Sequence, residues 1–151
     1  MAARTDEART KRDQAAAARR DGGHAGDAGA SPCTLVFVED DPILRMAVRA
    51  MFEREPWVAE VIACATGTEG LRELESASAS VLLTDARLPD IGLESLLERA
   101  AKISPATRLV VYTGLEEADA IDRAGDLAEC YVQKGRDPFE LVRSLRAMCC
   151  G

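Results

Sequence analysis

The sequence is short of histidine and of aromatic side chains: it contains one His, at position 24, and 4% Phe, Trp and Tyr. A zinc site wants a CxxC pair or neighbouring histidines. Neither pattern is present, so zinc is not expected. No apolar run reaches the roughly eighteen residues that cross a bilayer, and the N-terminus lacks the apolar stretch of a secretory signal. The expectation is a cytoplasmic protein with no membrane partner. Basic charge is also scarce, with 19 Lys and Arg against 26 Asp and Glu and a net charge of −7. Phosphate contacts need clustered Lys and Arg, so DNA is not expected as a partner. The five cysteines form no tidy disulfide set. Cys33, Cys64 and Cys130 sit in or beside apolar runs, where a thiol behaves as a small hydrophobe. Cys149 and Cys150 are adjacent near the end. Together they read as the cysteines of a reduced cytosolic protein.

What is present suffices for one domain. The chain has 151 residues, 47% of them hydrophobic and 30% charged, enough for a core and for solubility. Residues 1–31 stand apart. They carry six basic residues (Arg4, Arg9, Lys11, Arg12, Arg19, Arg20), five acidic ones (Asp6, Glu7, Asp13, Asp21, Asp27) and almost no large apolar side chain. Such a segment cannot bury enough surface to offset its ordering entropy. It reads as a disordered tail ahead of a domain at 32–151, and the acidity belongs to that domain.

From residue 33 short apolar runs alternate with amphipathic stretches. The runs are Leu35–Val38, Val61–Ala63, Val81–Leu83, Leu109–Tyr112 and Tyr131–Val132. Helices are predicted at about 42–54, 67–76, 92–103, 116–124 and 138–149. In the first, Leu44, Ala47, Val48, Met51 and Phe52 share one face. Pro42 suits its first turn, Thr66 with Glu69 reads as a capping box, and Asp137-Pro138 reads as an N-cap and first-turn pair. Strands alternating with helices predict an α/β fold with a parallel sheet covered on both faces. Continuous rather than alternating apolar strands agree.

In such sheets ligands bind beyond the carboxyl ends of the strands. There the sequence places Glu39-Asp40-Asp41 after the first run, Asp85 after the third, Thr113-Gly114 after the fourth and Lys134 after the fifth. Each alone has an ordinary explanation: Asp41 as a helix cap, Thr113-Gly114 as a turn, Lys134 as a surface lysine. Their joint occurrence at four strand ends points to chemistry. Crowded carboxylates repel unless a cation joins them. Mg²⁺ takes oxygen ligands and keeps waters for an oxyanion, a lysine supplies a point charge to a phosphate, and an aspartate can itself carry a phosphoryl group. This is equipment for phosphoryl transfer.

The segments Val38-Glu39-Asp40-Asp41-Pro42, Thr84-Asp85-Ala86-Arg87-Leu88-Pro89-Asp90, Tyr112-Thr113-Gly114 and Tyr131-Val132-Gln133-Lys134 resemble the receiver domain of bacterial two-component response regulators. The likeness covers about 33–149. It implies a flavodoxin-like, doubly wound (βα)5 three-layer sandwich with sheet order 2-1-3-4-5. It implies Asp85 as phosphoacceptor, Mg²⁺ held by Glu39, Asp40 and Asp85, and Thr113 and Lys134 as phosphoryl contacts. Tyr131 matches the aromatic that turns inward when Thr113 moves, and Arg87 and Leu115 match positions that tune phosphoryl lifetime. Two departures stand out. The loop after Asp85 reaches Gly92 one residue sooner than is common in the family. Gly135 replaces a Pro that the family usually holds in a cis bond; before Gly a cis bond costs about 2.5–4 kcal/mol, so a trans bond is expected.

The resemblance implies a phosphodonor, either a sensor histidine kinase or a histidine phosphotransfer protein, and an unknown downstream protein. With the sequence ending at Gly151, the expectation is a single-domain response regulator that signals by altered contacts and is not an enzyme. The alternatives are a degenerate receiver that binds partners without phosphate, and a phosphate sink. A phosphatase of the haloacid dehalogenase type wants a second Asp two residues after the nucleophile, where this chain has Arg87.

Overall fold

The computed structural model describes residues 32–114, 119, 122, 124–135 and 137–150. Stretches rich in Val, Leu, Ile and Phe form the strands β1 (Cys33–Val38), β2 (Val58–Cys64), β3 (Val81–Thr84), β4 (Arg108–Thr113) and β5 (Cys130–Gln133). Every residue of β3 is buried, as a central strand covered on both faces requires. The strands pair in parallel in the order β2-β1-β3-β4-β5. This is the doubly wound sheet that the sequence predicts.

The helices are α1 (Pro42–Glu53), α2 (Gly67–Ser76), α3 (Leu93–Ile103) and α4 (Pro138–Cys150). Their starts follow the local chemistry. Asp41 accepts from the amides of Ile43 and Leu44 at 2.9 and 3.4 Å, capping α1. The Thr66 hydroxyl accepts from Glu69 N at 3.2 Å. Glu69 reaches back to Ala65 N, also at 3.2 Å, a capping box displaced by one residue. Asp137 accepts from Phe139 N at 2.9 Å. The predicted helix at 116–124 lies mostly outside the described residues; Asp119, Asp122 and Ala124 are helical, and a 3-10 turn follows at Gly125–Leu127. The N-terminal segment 1–31 also lies outside them.

Side chains alternate across each strand, so two cores form. Val36, Val38, Leu82 and Val111 face Leu71 and Leu74 of α2 and Leu96 and Leu97 of α3. Leu35, Phe37, Leu83 and Val110 face Val48 and Phe52 of α1 and Leu141 and Leu145 of α4. That makes three layers. Gly70 lets α2 lie against β1: a Cβ there would stand 2.6 Å from Val38 Cγ2.

Two sequence expectations are corrected. Ala47, assigned to the buried face of α1, is exposed, and that face rests on Val48 and Phe52 with Leu44 and Met51 partly buried. The apolar side chains Ile43 and Met46 stand in solvent on the same helix. The cysteines are not all reduced: Cys33 and Cys149 form a disulfide spanning 116 residues of sequence. Sequence spacing could not show this pairing, because it arises only when α4 packs back beside the start of β1. Among the described residues no helix is long and apolar enough to cross a membrane.

Candidate functional site

Alternation along the strands decides which side chains meet. Glu39, just past β1, and Asp85, just past β3, fall on the sheet face that packs against α1 and α4. Lys134, just past β5, falls on that face too. Its chain is held there by Lys134 N donating to the Thr113 carbonyl at 2.8 Å. The Lys134 ammonium crosses β4, passing 5.6 Å from the centroid of the Tyr112 ring, within cation–π range. It then donates to Glu39 Oε2 at 2.7 Å and to Asp85 Oδ2 at 3.1 Å. Residues 95 and 49 positions away in sequence thus converge on one nitrogen.

Glu39 is 1% exposed and Asp85 is 8% exposed. Burial pushes the Glu39 carboxyl above its ordinary value; the Lys134 hydrogen bond opposes this, and the negative charge of Asp85 adds to it. Burial alone would lower the Lys134 ammonium, but its hydrogen bond to Glu39 and the charge of Asp85 outweigh it and the pKa rises. Burial likewise raises Tyr112. Main-chain donors complete the shell: Arg87 N reaches Asp85 Oδ1 at 3.3 Å and Asp41 N reaches Glu39 Oε1 at 3.3 Å.

Glu39, Asp40 and Asp85 each offer a carboxylate oxygen within 4.8 Å of the others, the only such group of acidic, Cys or His side chains among the described residues. Three hard oxygen donors suit Mg²⁺. The chemistry of the donor set fits, since three carboxylate oxygens lie close enough together to share one ion.

The structure brings together Glu39, Asp40, Asp85 and Lys134. Thr113 is buried at the end of β4, paired in register with Gln133. Tyr131 pairs with Val111, so it shares the face of Thr113, opposite the Lys134 face. Its hydroxyl donates to the Gly125 carbonyl at 3.2 Å. Arg87 is exposed and meets Asp85 through its amide. Leu115 lies outside the described residues. Gly135 has φ +85°, a conformation Pro cannot adopt, and no peptide bond among the described residues is cis.

Sequence reasoning missed three contributors. Arg45 Nη1 donates to the Glu39 carbonyl at 2.8 Å and to the Asp40 carbonyl at 3.4 Å, fastening the acidic loop to α1. Its place one turn past Pro42 was the available signal. Tyr112 sits beneath the Lys134 side chain, a role that strand alternation foreshadows. Asp90 accepts from Gly67 N at 3.1 Å, Thr68 N at 2.9 Å and Thr68 Oγ1 at 2.6 Å. It ties the short loop after Asp85 to the start of α2, and no local pattern announces a bond across 23 residues.

A doubly wound parallel sheet with carboxylates and a lysine gathered at its carboxyl rim defines an α/β protein of the flavodoxin-like class. The response regulator receiver domain matches residues 35–146, and the chain belongs to that family. It is 27% identical over 122 residues to the nitrate/nitrite response regulator protein NarL of Escherichia coli, covering 80% of this chain and 56% of NarL. It is 34% identical over 116 residues to the TorCAD operon transcriptional regulatory protein TorR of Escherichia coli, covering 74% and 47%. The CheY-like receiver domain protein of Methanospirillum hungatei superposes with a TM-score of 0.70 at 27% identity, covering 78% of this chain and 93% of that one. The response regulator RcsB in its DNA complex shares the fold, with a TM-score of 0.71 at 24% identity, covering 78% and 60%.

The chain spans about half the length of the curated relatives it matches. These relatives correct the expectation that DNA is no partner. TorR is by name a transcriptional regulator, and RcsB is seen with DNA. Net charge limits direct phosphate contact by an acidic surface; it sets no limit on what a longer protein of the same family contacts elsewhere.

Proposed function

We propose that Asp85 accepts a phosphoryl group and that the chain relays a signal by the change this makes at its rim. The observation that carries the reading is the Lys134 ammonium bonded at once to Glu39 and Asp85. It puts a phosphate-pairing charge beside the buried Asp85 carboxylate.

The donor in this reading is a phosphohistidine on a histidine kinase or histidine phosphotransfer protein. An oxygen of Asp85 attacks phosphorus in line, the N–P bond breaks, and the histidine nitrogen leaves and takes a proton. The product is an acyl phosphate. Glu39, Asp40 and Asp85 would hold Mg²⁺, which when bound neutralises charge on the transferring group. Lys134 moves from its carboxylate pair to a phosphoryl oxygen. The Thr113 hydroxyl and the Arg87 amide donate to others. Tyr131, paired with Val111 two residues before Thr113 and on the same face as Thr113, follows Thr113 inward. The new group adds about −1.5 to −2 charge, and that drives the rearrangement a protein partner reads. The chain turns over no separate substrate in this account.

A second reading is a receiver-like module that binds partners without phosphate. One observation favours it: Lys134 alone already satisfies two of the three carboxylates. Incubation with acetyl phosphate, with and without Mg²⁺, separates the two by intact mass. A Mg²⁺-dependent gain of one phosphoryl group, absent in Asp85→Asn, is the expected result. No gain under any condition contradicts phosphoryl acceptance and favours the second reading.

A further inference from the structure

The disulfide lies far from the acidic rim. Cys33 opens β1, while Glu39 follows its last residue. At about 3.3 Å per residue the two are separated by roughly 20 Å, at opposite ends of the sheet. Its two sulfurs also differ in surroundings. Cys33 is 1% exposed. Cys149 is only partly buried, at the end of α4, and Cys150 beside it is exposed. The Cα atoms of Cys33 and Cys149 are 6.0 Å apart, the spacing of a bridged pair. The last turn of α4 is held there independently, because Arg108 Nη1 donates to the Met148 carbonyl at 2.9 Å. Cys149 and Met148 pack on the same core that contains Cys33. The partners are therefore brought together by packing as well as by the bond.

We propose that Cys33 and Cys149 form a thiol–disulfide exchange site for small-molecule disulfides of the glutathione class, with Cys149 as the attacking thiol and Cys33 as the resolving one. The accessible Cys149 thiolate attacks one sulfur of the small disulfide. That S–S bond breaks, and the first thiol leaves with the proton that Cys149 gave up. The Cys33 thiolate, shielded from bulk reagents, then attacks Cys149 Sγ in the mixed disulfide. The second thiol leaves with the proton of Cys33. Two electrons pass from the protein thiols to the small disulfide, and the reverse sequence with excess thiol reopens the bond. The asymmetry of burial fixes the order, because exchange needs access to the attacked and the attacking sulfur. Closing the bond ties the last turn of α4 to the first residue of β1, which joins the two ends of the domain.

The test uses the full chain carrying Cys150→Ser, which removes the exposed competitor. After reduction, oxidised glutathione is added, the reaction is quenched in acid, and remaining thiols are alkylated and mapped by peptide mass. The expected product is a peptide pair joined through Cys33 and Cys149. With Cys33→Ala in addition, the reaction stops at one glutathionyl group on Cys149. With Cys149→Ser instead, Cys33 stays a thiol. Hydrogen exchange of the last α4 turn should slow on oxidation of the parent chain and not in the Cys33→Ala variant. Recovery of Cys33 and Cys149 both alkylated after oxidation overturns the proposal. So does glutathionylation of Cys33 in the Cys149→Ser variant, because it would show that burial does not set the order.

Discussion

Lys134 is the residue on which the site depends electrostatically. Its side chain is 19% exposed, against 2% for Glu39 and 11% for Asp85. Removing it in Lys134→Ala leaves a buried carboxylate facing a second one without a cation. A cost of about 1–3 kcal/mol at neutral pH is expected from urea melts, below that of a fully buried pair because Lys134 touches solvent. The sign with pH follows from the shifts. Glu39 has a folded pKa above its unfolded one, so the folded state binds its proton more tightly. Its contribution to stability is favourable at acid pH and declines as pH rises through the folded value. The variant should therefore be penalised less at acid pH, where Glu39 carries its proton, than at neutral pH. Lys134 itself is raised, so its contribution is present below its unfolded value and is lost only as pH rises through the folded one, on the alkaline side. At this scale Glu39, Asp40, Asp85, Thr113 and Lys134 were legible as polar residues following apolar runs. The shared bond to Lys134 was not, because the order of the strands in the sheet decides which strand ends a lysine can reach.

At the scale of elements the loop between β3 and α3 is the point of interest. It is one residue shorter than the pattern it resembles, and Asp90 uses it to cap α2. Burial pushes the Asp90 carboxyl up, but the hydrogen bonds from Thr68 and Gly67 together outweigh it and hold the carboxyl below its ordinary value. That stabilisation is present above the unfolded pKa and is lost as pH falls through the folded one. Asp90→Ala should cost about 1 kcal/mol, as an N-cap does, and thermal melts should show the difference from the parent shrinking at low pH. Gly70→Ala should cost about 1–3 kcal/mol through overpacking, because its Cβ would meet Val38 Cγ2 at 2.6 Å; chemical denaturation measures it. The sequence outlined these elements well. Strand cores and the helix starts at Pro42, Gly67 and Pro138 stand where the apolar runs and caps put them. Strand ends such as Val58 and Thr113 extend past the runs because hydrogen bonding to neighbours, not local hydrophobicity, sets where a ladder stops.

For the whole molecule, two ends of one sheet carry two separate devices. The carboxyl rim carries charge chemistry, and the opposite end carries the Cys33–Cys149 link. Closing a loop of more than a hundred residues constrains the unfolded chain by about 4–5 kcal/mol in the chain-entropy description. Reduction with excess dithiothreitol should accordingly lower the thermal midpoint of the parent chain. It should leave the midpoint of Cys149→Ser unchanged. Composition gave no sign of this link, since pairing across 116 residues depends on tertiary packing. Composition also misjudged partners, because the net charge of one domain does not describe what longer relatives contact.

In the proposed function Asp85 becomes an acyl phosphate. Borohydride reduces an acyl phosphate and leaves free carboxylates untouched, so it converts a phosphorylated aspartate to homoserine. We would phosphorylate the chain with acetyl phosphate and Mg²⁺, reduce it, and map the peptides by mass. Homoserine at position 85 and at no other aspartate is the predicted result. Homoserine at Asp40 or Asp41 with Asp85 unchanged, or at no position, would contradict the account.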